Sequence, residues 1–187
     1  MQSLFRILFF WSLVLSACST GGLSPQTVPP SITGAASALP TTAIPANPQE
    51  CGYQWAYKDL PELSRNFQQS IQVLQPEGPA NAFAFGENCI HTDGSVTFLA
   101  KETDFNLTLQ VDDLSNESDL GGWSVKVMQV IENIPQEQIV GPQPGLVTII
   151  FQSDSDQKVI NFYINQYQAL PSGLSNAEIY RALQAPQ

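Results

Sequence analysis

Two of the three cysteines and the single histidine lie in a pattern that could do chemistry. In Glu87-Asn88-Cys89-Ile90-His91 an extended backbone puts Glu87, Cys89 and His91 on one face, because strand side chains alternate. A thiolate beside an imidazole is the pairing of a cysteine nucleophile. The same residues with Cys51 offer three ligands for zinc. The third reading is a half-cystine followed by a surface histidine at a strand end. One histidine is a tight limit, since any serine triad or multi-histidine metal site would have to be built around His91 alone.

Carboxylates form the second set. Asp112, Asp113, Glu117 and Asp119 fall within eight residues, and oxygen clusters of this kind attract calcium. No glycine marks a tight loop centre there, and acids ahead of a helix also stabilise its dipole, so a helix-capping role is expected. Asp154 and Asp156 read as a polar hairpin tip. Asp104, with Glu102 or Glu87, is the pair that an acid–base hydrolase would use. Tyr53, Trp55 and Tyr57 alternate, so an extended segment could stack them on a sugar or a peptide. Packing into the fold as a sheet-closing edge strand is the expected use, since aromatics dominate cores. The chain has no G-x-S-x-G elbow, Walker loop, H-E-x-x-H, EF-hand or C-x-x-C.

The elements that must hold these residues are legible from residue 51 onward. Asp59-Leu60-Pro61-Glu62 has the form of a capping box with proline in the first turn. Leu60, Leu63, Phe67, Ile71 and Leu74 make one helical stripe, which Pro76 and Gly78 end. Three strands in meander order are expected over 81–90, 96–100 and 105–111, with Asp93-Gly94 as a hairpin turn. A second helix is expected over 118–134, burying Leu120, Trp123, Val127, Val130, Ile131 and Ile134, with Gly121-Gly122 weakening its start. Gly141-Pro142-Gln143-Pro144-Gly145 reads as a rigid turn before strands at 146–151 and 158–164. The first of these is apolar on both faces, as a central strand would be. Ser175 and Glu178 make a capping box for a short final helix. The predicted fold class is α+β: a mostly antiparallel sheet of about five strands, two main helices and a short C-terminal one, in αβββαββα order.

Ahead of that domain the chain is of a different kind. Arg6 precedes an apolar run at 7–15 that is too short to span a bilayer and has the proportions of a signal-peptide core. Leu15-Ser16-Ala17-Cys18 then resembles the lipobox of bacterial lipoprotein precursors. That resemblance implies cleavage after residue 17 and a lipid-modified Cys18 at the head of the mature chain, held at the extracytoplasmic face of a cell membrane. Two or three acyl chains supply the multiple signals that stable anchoring needs. Residues 19–50 hold six prolines and one charge, Glu50, with no helical or strand period. They read as a disordered spacer whose fully extended limit is about 100 Å. The expected organisation is a signal peptide over 1–17, lipidated Cys18 and tether over 18–50, and a single domain over 51–187.

An exported chain meets oxidising conditions. With two cysteines after Cys18, a Cys51–Cys89 disulfide is the expected pairing, ahead of the zinc site and the nucleophile. Several phrases of the domain, CGYQWAYKDLPELSRNFQ, FAFGENC, ETDF, Trp123 and GPQPG, are similar to uncharacterised secreted domains of environmental bacteria. That resemblance implies no known activity and adds no site residue.

Composition narrows the function classes. With 187 residues, 43% hydrophobic, the chain can bury a core. Its charged fraction of 13% is below the usual ~25%, and 19 glutamines stand in for the missing ions. A net charge of −10 argues against a nucleic-acid partner and against electrostatic docking on anionic lipid. The expectation is therefore a monomeric, membrane-anchored binding or envelope-interaction module with no catalytic residues, no metal and no cofactor, its protein or glycan ligand unspecified. The rival is a carboxylate-dependent extracellular hydrolase.

Overall fold

A computed structural model describes residues 51–154 and 156–185. The expected signal peptide, lipidated Cys18 and tether lie outside the described residues. Five strands, β1 (Cys51–Asp59), β2 (Ala80–His91), β3 (Val96–Gln110), β4 (Leu146–Ser153) and β5 (Asp156–Tyr163), form one sheet in sequential order. Four helices, α1 (Pro61–Leu74), α2 (Glu117–Glu132), α3 (Ile164–Gln168) and α4 (Asn176–Leu183), complete an α+β fold. None of the described helices is long and apolar enough to cross a membrane.

The sheet is mixed, which corrects the expectation of a mostly antiparallel one. β3 and β4 run parallel, with Phe105 opposite Val147 and Leu109 opposite Phe151. The reason is the connection: α2 sits between them, and a long helical crossover returns the chain to the same end of the sheet. The other three pairings are antiparallel. The count of five strands holds, but its members differ. The expected strands at 96–100 and 105–111 are one strand, because Lys101-Glu102-Thr103-Asp104 contains no glycine or proline and the chain runs on through a register shift opposite Phe85 and Gly86. The fifth place is taken by β1, whose aromatics close the sheet as an edge strand.

One face of the sheet holds the core. Val147, Ile149 and Phe151 of β4, Ile160 and Phe162 of β5, and Phe105, Leu107 and Leu109 of β3 pack with Leu63, Phe67 and Ile71 of α1 and Leu120, Val127, Met128 and Ile131 of α2. The α1 stripe is as the spacing predicts. Its cap is not: Asp59 ends β1, Leu60 takes the N-cap position without a side-chain bond, and Pro61 alone starts the helix. The capping box at Ser175 and Glu178 does form. Trp123, Val130 and Ile134 are only partly buried at the edge of the core.

Gly121 has a use that helix propensity conceals. A Cβ there would overlap the backbone carbonyl of Asn176, so glycine is what lets α4 lie against the first turn of α2. Residue 164 leaves the expected strand, because β5 stops at Tyr163 and Ile164 opens α3.

Candidate binding face

Alternation sorts the strands into a covered and an open side. On β2, Ala82 and Ala84 face the helices and are buried. They are small because α1 comes close: Ser64 Oγ donates to the Ala82 carbonyl at 2.7 Å and accepts from the Ala82 N–H at 3.0 Å. Phe83 and Phe85 therefore point to the side without helices. Register carries the same side across to neighbouring strands. Tyr57 pairs with Phe85, Trp55 with Glu87 and Tyr53 with Cys89 on β1. On β3, Asp104 pairs with Phe83, Glu102 with Phe85 and Leu99 with Glu87.

The aromatics form a contiguous layer. Trp55 stacks on Phe85 at 5.1 Å between centroids, and Tyr57 meets both Phe85 at 5.1 Å and Phe83 at 5.2 Å. Closing the sheet does not bury β1's rings, which corrects the expectation that they pack down: Tyr53, Trp55 and Tyr57 are 68%, 63% and 69% exposed. With no helix layer on this side, Trp55 and Tyr57 rest against Phe83 and Phe85, and Tyr53 continues the exposed row along β1.

Three carboxylates share the face, and each has its own surroundings. Glu87 lies 3.5 Å from Lys101, the residue at the β3 irregularity. Asp104 is buried and accepts from the Leu146 N–H at 2.8 Å, which ties β3 to the start of β4. Burial pushes its carboxyl above the usual range, and that N–H pulls the other way. Glu102 is also raised, first by burial and then by the charge of Asp104. The GPQPG turn runs along this stretch of β3: the Gln143 N–H donates to the Lys101 carbonyl at 2.9 Å, and Thr103 Oγ1 bonds both N–H and C=O of Val140 at 2.8 Å. Gly141 takes φ 87° there, in the left-handed region where a side chain would be strained.

Cys51 and Cys89 are joined by a disulfide, Cα to Cα 5.3 Å. Both sulfurs are bonded, so neither the nucleophile nor the zinc site is available to them. His91 Nε2 lies 3.6 Å from Cys89 Sγ and 3.2 Å from Thr97 Oγ1. The acidic stretch is occupied locally. Asp113 accepts from the N–H and hydroxyl of Ser115, both at 2.7 Å, and these bonds hold its carboxyl below the usual range. Asn116 caps α2, donating to Asp119 at 2.7 Å, and Glu117 pairs with Arg181 at 2.7 Å. Among the described residues no three His, Cys, Asp or Glu side chains are grouped to hold a metal.

The arrangement defines a helix-backed sheet whose free side carries an aromatic surface edged by acids. It can stack on flat apolar groups and accept hydrogen bonds. No family model matches the chain and no curated protein matches its sequence. Among solved structures it is similar to the crystal structure of a sex pheromone precursor from Lactobacillus salivarius subsp. salivarius UCC118, with 14% identity and a TM-score of 0.32. The match covers 60% of this chain and 32% of that one, so the likeness is partial in both directions.

Proposed function

We propose that this chain is an extracytoplasmic lipoprotein, anchored through a lipid on Cys18 and spaced from the membrane by residues 19–50. Its domain over 51–187 is a non-catalytic binding module whose ligand surface is the open face of the sheet. One observation carries the module reading: Tyr53, Trp55 and Tyr57 stay exposed in a row on β1, with Trp55 and Tyr57 resting against Phe83 and Phe85. The lipobox form of Leu15-Ser16-Ala17-Cys18 supports the anchor.

A carboxylate hydrolase finds less support in the same face. Asp104 is engaged with the Leu146 N–H, and Glu87 lies beside Lys101.

Two measurements test the reading. Radiolabelled palmitate should enter the wild-type chain and not Cys18→Ser; equal labelling of both sinks the anchor. For the module, hydroxyl-radical footprinting against neutral oligosaccharides and short peptides should find a probe that shields Tyr53, Trp55 and Tyr57. Shielding confined to other residues, or turnover of any oligosaccharide, defeats it.

A further inference from the structure

The outer side of β1 is used by nothing in the reading above. β1 is the first strand in the sheet order, so β2 pairs one side of it and no described strand pairs the other. Proteins usually guard such an edge with charge, proline, a bulge or short length. β1 has none of these along most of its course. It is nine residues long, lacks proline, keeps an unbroken register with β2, and carries its only charges, Lys58 and Asp59, at its end. Its backbone groups on the outer side are thus a template for another strand.

Side chains and charge say what kind of strand fits. A strand added there would place alternate side chains directly beside Tyr53, Trp55 and Tyr57, at cross-strand distances of about 5 Å. The opposite face of β1 carries Gly52, Gln54 and Ala56, which leave room. Asp59 and Glu87 lie on the aromatic face, the latter beside Lys101, Glu102 and Asp104 are buried on the same side, and the whole chain carries −10. The exposed rings and the net negative charge of the chain favour cations over anions.

Resting on the reading of this face as the binding surface, we propose that β1 accepts an extended cationic peptide as a sixth strand, with Lys or Arg at alternate positions beside Tyr53, Trp55 and Tyr57. Main-chain bonds to the strand edge give affinity and the aromatic row selects the side chains. A second copy of this chain is the poorer occupant, because two chains of −10 bring no countercharge to each other.

The test uses the full chain in detergent and three synthetic octapeptides: alternating lysine and valine, its glutamate analogue, and the lysine peptide with every second amide N-methylated. Titration calorimetry and amide exchange read the result. The lysine peptide should bind, protect β1 amides and weaken as salt rises. The glutamate analogue and the N-methylated peptide should each bind at least about tenfold more weakly, the second because several strand hydrogen bonds are lost. Trp55→Ser should weaken the lysine peptide without changing the protection of β3. Equal binding of the lysine and glutamate peptides overturns the proposal, and so does indifference to N-methylation. Self-association with protected β1 amides, seen by sedimentation, overturns it in favour of a second copy. If an oligosaccharide shields the rings and no peptide binds, the strand proposal falls while the binding module stands. If nothing shields the rings, both fall.

Discussion

The indole of Trp55 lies nearly flat on the ring of Phe85, centroids 5.1 Å and planes 14° apart, with 63% of the residue still in water. The pair is half of a stacked contact whose other side is open. Folding gains little from it. Trp55→Ala should cost about 1 kcal/mol, the worth of one aromatic pair. Phe67→Ala, which empties the middle of α1's buried stripe, should cost about 3–5 kcal/mol. Urea unfolding of both variants compares them directly. Equal costs would make the aromatic face a structural element and remove the main support for a binding role.

The disulfide closes a loop of 38 residues, and chain entropy gives it about 4 kcal/mol. The double variant Cys51→Ser/Cys89→Ser should therefore melt well below the wild type. Amides of β1 should then exchange ahead of those of β3, since β1 has one neighbour and β3 has two. Thiol titration of the unfolded, unreduced chain should find neither Cys51 nor Cys89 free. Two rapidly alkylating thiols besides Cys18 would restore the nucleophile and zinc readings.

Gly121 and Gly122 provide a matched pair. Alanine normally improves a helix over glycine by about 1 kcal/mol. At Gly121 the new Cβ meets the Asn176 backbone, which cannot yield without moving α4, so Gly121→Ala should destabilise by about 2–3 kcal/mol. At Gly122 the nearest atom is the Asn176 side-chain nitrogen, 3.0 Å away, on a group that can rotate. Gly122→Ala should be near neutral by the same denaturation assay.

Glu102 and Asp104 make stability depend on pH in the less common direction. Burial raises both carboxyls, so the folded state holds their protons more tightly than the unfolded chain does. Stability from these groups is lost as pH rises through the raised values and regained on acidification below the ordinary carboxylate range. Asp93, Asp113 and Glu178 work oppositely, since serine hydrogen bonds lower them and their contribution is lost as pH falls. Glu102→Gln should therefore gain on the wild type as pH rises, with the difference vanishing in acid. Asp104→Asn keeps an acceptor for the Leu146 N–H, whereas Asp104→Ala leaves that donor without it and should cost about 1–3 kcal/mol. Melting curves across about pH 4–7 give the comparison.

Periodicity made the core legible because burial obeys it: Leu63, Phe67 and Ile71 on α1, and Ile160 and Phe162 on β5, sit where spacing alone puts them. Strand direction was not legible, since apolar content is the same for parallel and antiparallel neighbours of β4. The break expected inside β3 fell where the apolar parity changes between Ala100 and Phe105, which the irregularity at Lys101 accounts for. Asp104 is tolerated there because the Leu146 N–H at the start of β4 bonds its carboxylate, a contact that no local pattern reveals. The alternation Asn81-Ala82-Phe83-Ala84-Phe85-Gly86 did contain the aromatic floor: small residues on one parity mark the face a helix approaches, which leaves the phenylalanines for the other. Tyr53, Trp55 and Tyr57 were visible as a set, but their exposure depends on no helix covering that side, a property of topology.

The parallel seam between β3 and β4 has a consequence in time. β2 with β3, and β4 with β5, can zip from short turns within neighbouring stretches of chain. The seam cannot close until residues 111–145 have looped across and α2 has found its place, so its entropy must be spent before its contacts exist. Contact order predicts that the two hairpins form early and that their joining is slow. Until that moment Val147, Ile149 and Phe151 of β4, and Phe105, Leu107 and Leu109 of β3, stand as two uncovered apolar rows. On that expectation, the rate of this one encounter sets how long the newborn chain is exposed to wrong partners.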